Sequence, residues 1–236
     1  MNGTACAAAH PLDNVFWQTL VGPHARYAFG SAEARRYAPG FSPIVGFANP
    51  ESPDFAALAP HCTPGERFYC CGWEGAAPAG WQIEMEARIC RMVWRMAMPE
   101  GDEATGAVLL EPRHVAQALE LAELTRPGPF GSRTPELGEY FGFIENGTLV
   151  AMAGERMHAR GHREISGVCT LPAHRGRGLA RRLMLKLVAR QMMRGETPFL
   201  HAMVDNVAAR ALYERMGFRE DRESTLRVVR YAGSPR

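Results

Sequence analysis

A chain of 236 residues, 46% hydrophobic and 22% charged, is a globular protein able to bury a real core, as one large unit or two small ones. Its 27 basic and 25 acidic residues leave a formal charge of +2, which excludes a global field for nucleic acid or an anionic membrane, so any anion site must be local. No run of about eighteen apolar residues marks a membrane span. The opening MNGTACAAAHPLDN lacks the basic and apolar regions of a secretory signal, and a cytoplasmic location is expected.

In chain order, Leu12 to Leu20 and Asp54 to Leu58 read as short helices and Arg67 to Trp73 as a strand. From Trp81 to Ile89 the alternation W-Q-I-E-M-E-A-R-I has a period of two, predicting a strand with one polar face. The phase slips near Cys90, where Met92, Trp94, Met96 and Met98 alternate on the other parity, predicting a bulge or tight turn. The acidic stretch Pro99 to Gly106 is the predicted linker. It divides the chain into an α/β half, residues 1–104, and a second unit, residues 105–236. Cys6, Cys62, Cys70, Cys71, Cys90 and Cys169 show no disulfide framework or C-x-x-C spacing and read as reduced, mostly buried thiols. On a strand, Cys70 and Cys71 would point to opposite faces, which argues against a redox or metal pair.

In the second half, Val108 to Leu110 reads as a strand, His114 to Leu124 as a helix, and the glycine- and proline-rich run Arg126 to Pro135 as a loop. Glu139 to Glu145 and Thr148 to Met157 are strands joined by Asn146-Gly147, the pair favoured in a tight hairpin. A strand over Arg163 to Leu171 feeds a helix beginning around Gly176. Phe199 to Val204 is a strand, Asn206 to Met216 a helix, and Thr225 to Val229 a last strand.

The segment from Val168 to Ala180 says most. A strand ends at Pro172, and a basic glycine-rich turn opens into a helix whose apolar stripe is Leu179, Leu183 and Leu187 with Ala180, Met184 and Val188. Helix N-termini leave backbone N–H groups unpaired and carry partial positive charge. Gly176 and Gly178 remove the side chains that would block an anion, while Arg175 and Arg177 add charge. Arg182, Lys186 and Arg190 mark the expected solvated face. The plain alternative is a surface turn before a core helix. Nucleic-acid binding by the R-G-R-G patch lacks a basic, aromatic-interleaved surface elsewhere.

Arg175-Gly-Arg-Gly-Leu-Ala180 fits R/Q-x-x-G-x-G/A, and Asn206 to Phe218 fits N-x-x-A-x-x-L-Y-E-x-x-G-F. In that order and spacing the two blocks resemble the GNAT superfamily, the general-control-related N-acetyltransferases, over about Val108 to Val229. The resemblance implies an α/β (α+β) mixed-sheet fold in the C-terminal half. It also implies acetyl-CoA as co-substrate, no metal, and direct acetyl transfer to a primary amine on a small molecule or peptide. Backbone groups of Val168, Cys169 and Thr170 would hold the pantetheine arm. Arg175, Gly176, Arg177, Gly178, Leu179, Ala180 and Arg181 would hold the pyrophosphate.

Glu164 is the implied base, with Glu155 as rival and a water chain as the third route; its structural alternative is an exposed strand-end carboxylate beside Arg163. Tyr213 would supply a proton to the departing CoA thiolate, unless it is purely structural. Asn206 would cap its helix and touch the cofactor arm. His158 and His162 lack a second ligand at metal spacing and read as exposed turn residues. Cys169 reads as packing, not as an acyl-enzyme nucleophile.

The first half suits a degenerate copy of the same fold, the preferred reading, or an extension covering the acceptor site. Having no R/Q-x-x-G-x-G/A loop, it is expected to bind no CoA in that manner. Loop Arg126 to Pro135 and turn Met157 to Arg163 are the expected acceptor contacts. An acyl-CoA-sensing module without catalysis and an acyltransferase using longer acyl chains are the rival functions. Neither nucleic acid nor membrane is an expected partner, and monomer and homodimer both stay open.

Overall fold

The protein is described by a computed structural model covering residues 10 and 12–233; Cys6 and most of the opening segment lie outside the described residues. The helices are α1 (Val15–Val21), α2 (Phe55–Leu58), α3 (Val115–Thr125), α4 (Leu179–Met193) and α5 (Val207–Met216). The strands of the first half are β1 (Ala28–Gly30), β2 (Ala34–Tyr37), β3 (Val45–Phe47), β4 (Arg67–Cys71) and β5 (Trp81–Trp94). Those of the second are β6 (Val108–Leu109), β7 (Tyr140–Glu145), β8 (Thr148–Ala159), β9 (His162–Thr170), β10 (Thr197–Met203) and β11 (Phe218–Tyr231).

Strands β1, β2 and β3 form a small antiparallel sheet, and the other eight form one mixed sheet in the order β4-β11-β5-β10-β9-β8-β7-β6. Two strands of the first half thus stand in the same sheet as the second half. The stretch Pro99 to Gly106 leads from one strand of that sheet to another.

Local chemistry accounts for most joints. Asn146 and Gly147 take φ of 50° and 78°, the left-handed pair that a two-residue hairpin needs between β7 and β8. The Asp54 side chain accepts from Ala57 N–H at 2.8 Å and that of Asn206 from Ala209 N–H at 3.1 Å, capping α2 and α5.

The predicted phase slip at Cys90 is not a turn, since β5 runs unbroken to Trp94. From Ile89 onward both its faces are covered: Cys90, Met92 and Trp94 join the core beneath α4, and Val93 the core beneath α1. Register shifts do occur along the β5–β11 pair, leaving Glu84 and Asp221 as the extra residues.

One face of the large sheet packs under α4, where Leu183, Met184, Leu187 and Val188 meet Val150, Ile165, Leu200 and Phe218. The other carries α1, with Leu12, Phe16 and Leu20 against Met157 and Phe199. Leu183 is fully buried, so Leu183→Ala should lower the urea-unfolding free energy by about 2–5 kcal/mol through lost contact and a residual cavity. A loss below about 1 kcal/mol would mean that the helix is not anchored there.

The expected solvated face of α4 is partly covered. The Lys186 ammonium pairs with Asp102 and lies 5.3 Å from the Phe141 ring centre, and the Arg182 guanidinium sits 4.7 Å from that of Phe143. Arg190 pairs with Glu139. Long cationic side chains cover apolar surface with their stems while keeping their charged ends paired.

The joint between β9 and β10 positions the site. They pair in parallel only at Thr197↔His162, Pro198↔Arg163 and Phe199↔Glu164, and then diverge. β9 stays with β8 through a register shift that leaves an extra residue near Gly167, at φ +64°. A Cβ on Gly167 would lie 3.0 Å from the Tyr140 ring, so glycine meets both the left-handed backbone and the close approach. Among the described residues, no helix is long and apolar enough to cross a membrane.

Candidate active site

Past Phe199↔Glu164 the facing edges of β9 and β10 have no strand partner, and a cleft of about 330 Å³ opens between them. Ser166 and Val168 line it from β9, His201 and Met203 from β10, Tyr213 from α5 and Asn206 from that helix's cap. Arg126 to Pro129 of the glycine- and proline-rich loop form part of the wall, and Phe16, Tyr69 and Met85 of the first half another part. The turn after β8 does not line the cleft. There His158 and Arg163 are tied to Glu196, and His162 Nδ1 lies 3.0 Å from the Arg160 carbonyl.

At the end of the cleft's β9 wall, the chain passes through Arg175 to Gly178 into α4. Gly176 and Gly178 are left-handed, with φ of 77° and 74°, and a Cβ on either would meet nothing within 4 Å. The first backbone hydrogen bond of the helix is Arg182 N–H to Gly178 O at 3.0 Å. The N–H groups from Gly176 to Arg181 therefore have no partner among the described residues. Six unpaired donors in open space at a helix start suit a diphosphate.

The arginines divide. Arg177 forms a two-pronged pair with Glu145, at 2.9 and 2.7 Å, and Arg181 pairs with Glu103. Arg175 has no carboxylate partner among the described residues and reaches back to the Thr170 carbonyl at 3.4 Å.

Of the three β9 residues expected along the pantetheine arm, Val168 faces the cleft. Cys169 turns the other way, into the cluster of Ala118, Leu121 and Ala122 on α3. Burial pushes its thiol up to about 11, so it is a packing residue and carries no appreciable thiolate. The five described cysteines, Cys62, Cys70, Cys71, Cys90 and Cys169, are free.

Glu164 is fully buried, unlike the exposed strand-end carboxylate that was its structural alternative. Arg156, at the register shift of β8, donates to it twice, at 2.9 and 2.7 Å. Met157 N–H donates at 3.3 Å, and His201 Nδ1 lies 2.8 Å from Oε1. Burial alone would raise this carboxyl, but the Arg156 guanidinium and the donated hydrogen bonds hold it down at about 2. A carboxylate bound that tightly is a poor proton acceptor.

Glu155 is buried away from the cleft, where Arg194 and Gln191 bond Oε1 and Glu139 N–H donates to Oε2. Among the described residues, no group of three or more His, Cys, Asp or Glu side chains could hold a metal ion.

Tyr213 stands half-buried on α5, edge-on to Phe218 at 6.3 Å, with burial pushing its hydroxyl up to about 12. It is thus a protonated donor near neutral pH. Asn206 lines the cleft as well as capping α5. Sequence reasoning missed Arg156 and His201. His201 stands outside every motif, and the signal for it was positional: two residues beyond Phe199 on a strand puts both on one face.

Residues 140–228 match the family model described as FR47-like protein. Over 82 residues the chain is 38% identical to the N-alpha-acetyltransferase RimI of Mycobacterium tuberculosis, covering 34% of this chain and 51% of that one. The match thus spans about half the length of that relative. The structure resembles that of a GCN5-related N-acetyltransferase from Kribbella flavida, at 17% identity and a TM-score of 0.61 over 93% of this chain and 95% of that one. That likeness shows the fold alone. A crystal structure from Novosphingobium aromaticivorans, assigned to the GNAT family of acetyltransferases, superposes with a TM-score of 0.83 and 34% identity over 96% of this chain and 100% of that one. Sequence identity sustained along a whole relative, around a cleft that opens onto a helix start rich in free amides, establishes that the chain belongs to the GNAT family of N-acetyltransferases.

Proposed function

We propose that the protein transfers an acetyl group from acetyl-CoA to a primary amine by direct attack, in the cleft between β9 and β10. The observation carrying this reading is the divergence of those strands toward a loop whose amides from Gly176 to Arg181 lack partners. The diphosphate would rest on those amides with Arg175 beside it. The pantetheine arm would run along the open edge of Val168, Cys169 and Thr170, where fixed backbone donors can also polarise the thioester carbonyl. Asn206, which lines the cleft, would touch the same arm.

A peptide α-amine is the favoured acceptor. The N-alpha-acetyltransferase relative acts on such a group by name. An α-amino group, with a pKa of about 7.7–8.0 against about 10.4 for a lysine, offers a far larger unprotonated fraction near neutral pH. The first half, through Phe16, Tyr69 and Met85, walls the cleft, which favours its role as a cover over the acceptor side.

The test is release of free thiol from acetyl-CoA against amino acids, amino-acid amides and short peptides with free or blocked N-termini. Turnover with free but not blocked peptides is expected; binding of coenzyme A without turnover of any amine would instead favour a sensor. Within that assay, Tyr213→Phe should lower kcat by about 10²-fold, in the range of acid catalysis, with little change in the KM for acetyl-CoA. An unchanged kcat would leave Tyr213 a structural residue.

A further inference from the structure

We propose that His201, and not Glu164 directly, takes the proton from the attacking amine, and that Glu164 and Arg156 are its positioning residues. This rests on the acetyl-transfer reading above and goes beyond it by naming the proton acceptor and the chain of contacts that aims it.

The geometry points to this division of labour. β10 presents His201 at the first same-face position beyond Phe199, the last residue paired with β9, so its ring stands where the cleft begins to open. Nδ1 lies 2.8 Å from Glu164 Oε1. Glu164 is an ionised acceptor, so Nδ1 must carry the hydrogen, and that fixes Nε2 as the nitrogen with the free lone pair.

Nε2 has no partner among the described residues, and it is not among the buried polar atoms lacking one, so solvent or substrate can reach it. Two rings hold the imidazole from the α1 side, Phe199 at 5.7 Å and Phe16 at 6.2 Å, both near perpendicular. Glu164 itself offers no comparable access. It is sealed from solvent, and its two oxygens already accept from Arg156, Met157 and His201.

Arg156 has a second effect. Its guanidinium already balances the Glu164 charge, so the carboxylate meets the ring as half of an ion pair and not as a lone anion. The other charged and titratable groups around His201 are Arg91, opposite it on β5 and paired with Asp221, and Glu51, Arg222 and Cys71, which line a smaller adjoining pocket with it. Arg126, Tyr213 and Tyr69 line the main cleft with the ring.

The step balances as follows. The amine nitrogen bonds to the thioester carbon while the carbonyl π pair moves to oxygen. The nitrogen's surplus proton goes to His201 Nε2. Collapse re-forms the carbonyl and breaks the C–S bond, and the departing thiolate takes the Tyr213 hydroxyl proton. Solvent returns the proton from His201 to the tyrosine, leaving an amide and free coenzyme A.

His201→Asn tests this with little threat to the fold, because the amide nitrogen can still donate to Glu164 from near the Nδ1 position. With acetyl-CoA and the peptide that turns over fastest, kcat should fall about 10²–10⁴-fold, the span of general-base catalysis. The KM for acetyl-CoA should change less than about 3-fold, as a role confined to proton transfer requires. The acidic limb of the wild-type kcat profile should vanish in the variant, and free imidazole should restore part of the rate to His201→Ala.

A His201→Asn enzyme that keeps its rate and acidic limb overturns the proposal while acetyl transfer stands. So does a loss that follows coenzyme A affinity and not kcat. A wild type that binds coenzyme A but acylates no amine overturns the transfer reading, and this inference with it.

Discussion

Replacing Arg156 with methionine should destabilise the protein by about 3–5 kcal/mol, the usual cost of leaving a buried charge without its partner. Both groups are nearly inaccessible and share two hydrogen bonds, of 2.9 and 2.7 Å, so the single variant strands the Glu164 carboxylate in the interior. The double variant Arg156→Met/Glu164→Leu removes both charges and should regain most of the lost stability. Urea unfolding at neutral pH reads both. A single variant within about 1 kcal/mol of wild type would show that the pair is not the buried anchor described here.

The pair also sets a pH window. Glu164 in the folded protein sits at about 2, below the ordinary glutamate value of about 4.3 that it regains on unfolding. Its contribution is therefore complete above the unfolded value and is lost as pH falls through the folded one. Wild-type stability should drop between about pH 4.5 and pH 2, with a smaller drop in the double variant.

Replacing Gly178 with valine should weaken coenzyme A binding by about 100-fold or more, equivalent to about 2.7 kcal/mol. At φ 74° a β-branched residue is strained, and its side chain would occupy the open space over the amides that begin α4. Strain alone is controlled by Gly195→Val, at φ 73° with an equally open Cβ position but at the far end of the helix. Calorimetry with coenzyme A should separate the two: Gly195→Val keeps the wild-type affinity and Gly178→Val does not. Equal affinities in all three proteins would remove the loop from the binding site.

The second half was largely legible because its signals are local. Asn146-Gly147 dictates its own hairpin, Gly217 ends α5 in the left-handed conformation, and the R-G-R-G turn carries the chemistry of a helix start. What escaped is non-local. Strands β1 to β3 are three or four residues long and too short to display a period, and β11 begins at Phe218, well before the expected Thr225. Its first residues, Arg219 to Ser224, are polar because that part of the strand borders solvent, so they carry no apolar rhythm. The apparent phase slip in β5 records a change from one covered face to two, which only the full sheet reveals.

The site divides along the same line. The glycines and Tyr213 lie within sequence motifs. The Glu164–Arg156–His201 cluster draws on three strands, and no spacing along the chain announces it.

The position of β5 between β10 and β11 has a consequence for how the polypeptide matures. Both of its edges wait for segments more than a hundred residues later in the chain: Trp81 pairs with Tyr231, and Ile89 with Met203 and Ser224. Contacts so distant in sequence slow folding, and a nascent chain emerging from the ribosome exposes a fourteen-residue strand whose two edges stay unmet until β10 is out, and one of them until β11 follows. The glutamates and arginine along its polar face, Glu84, Glu86 and Arg88, are the kind of charge that keeps such an edge from joining its neighbours during that wait.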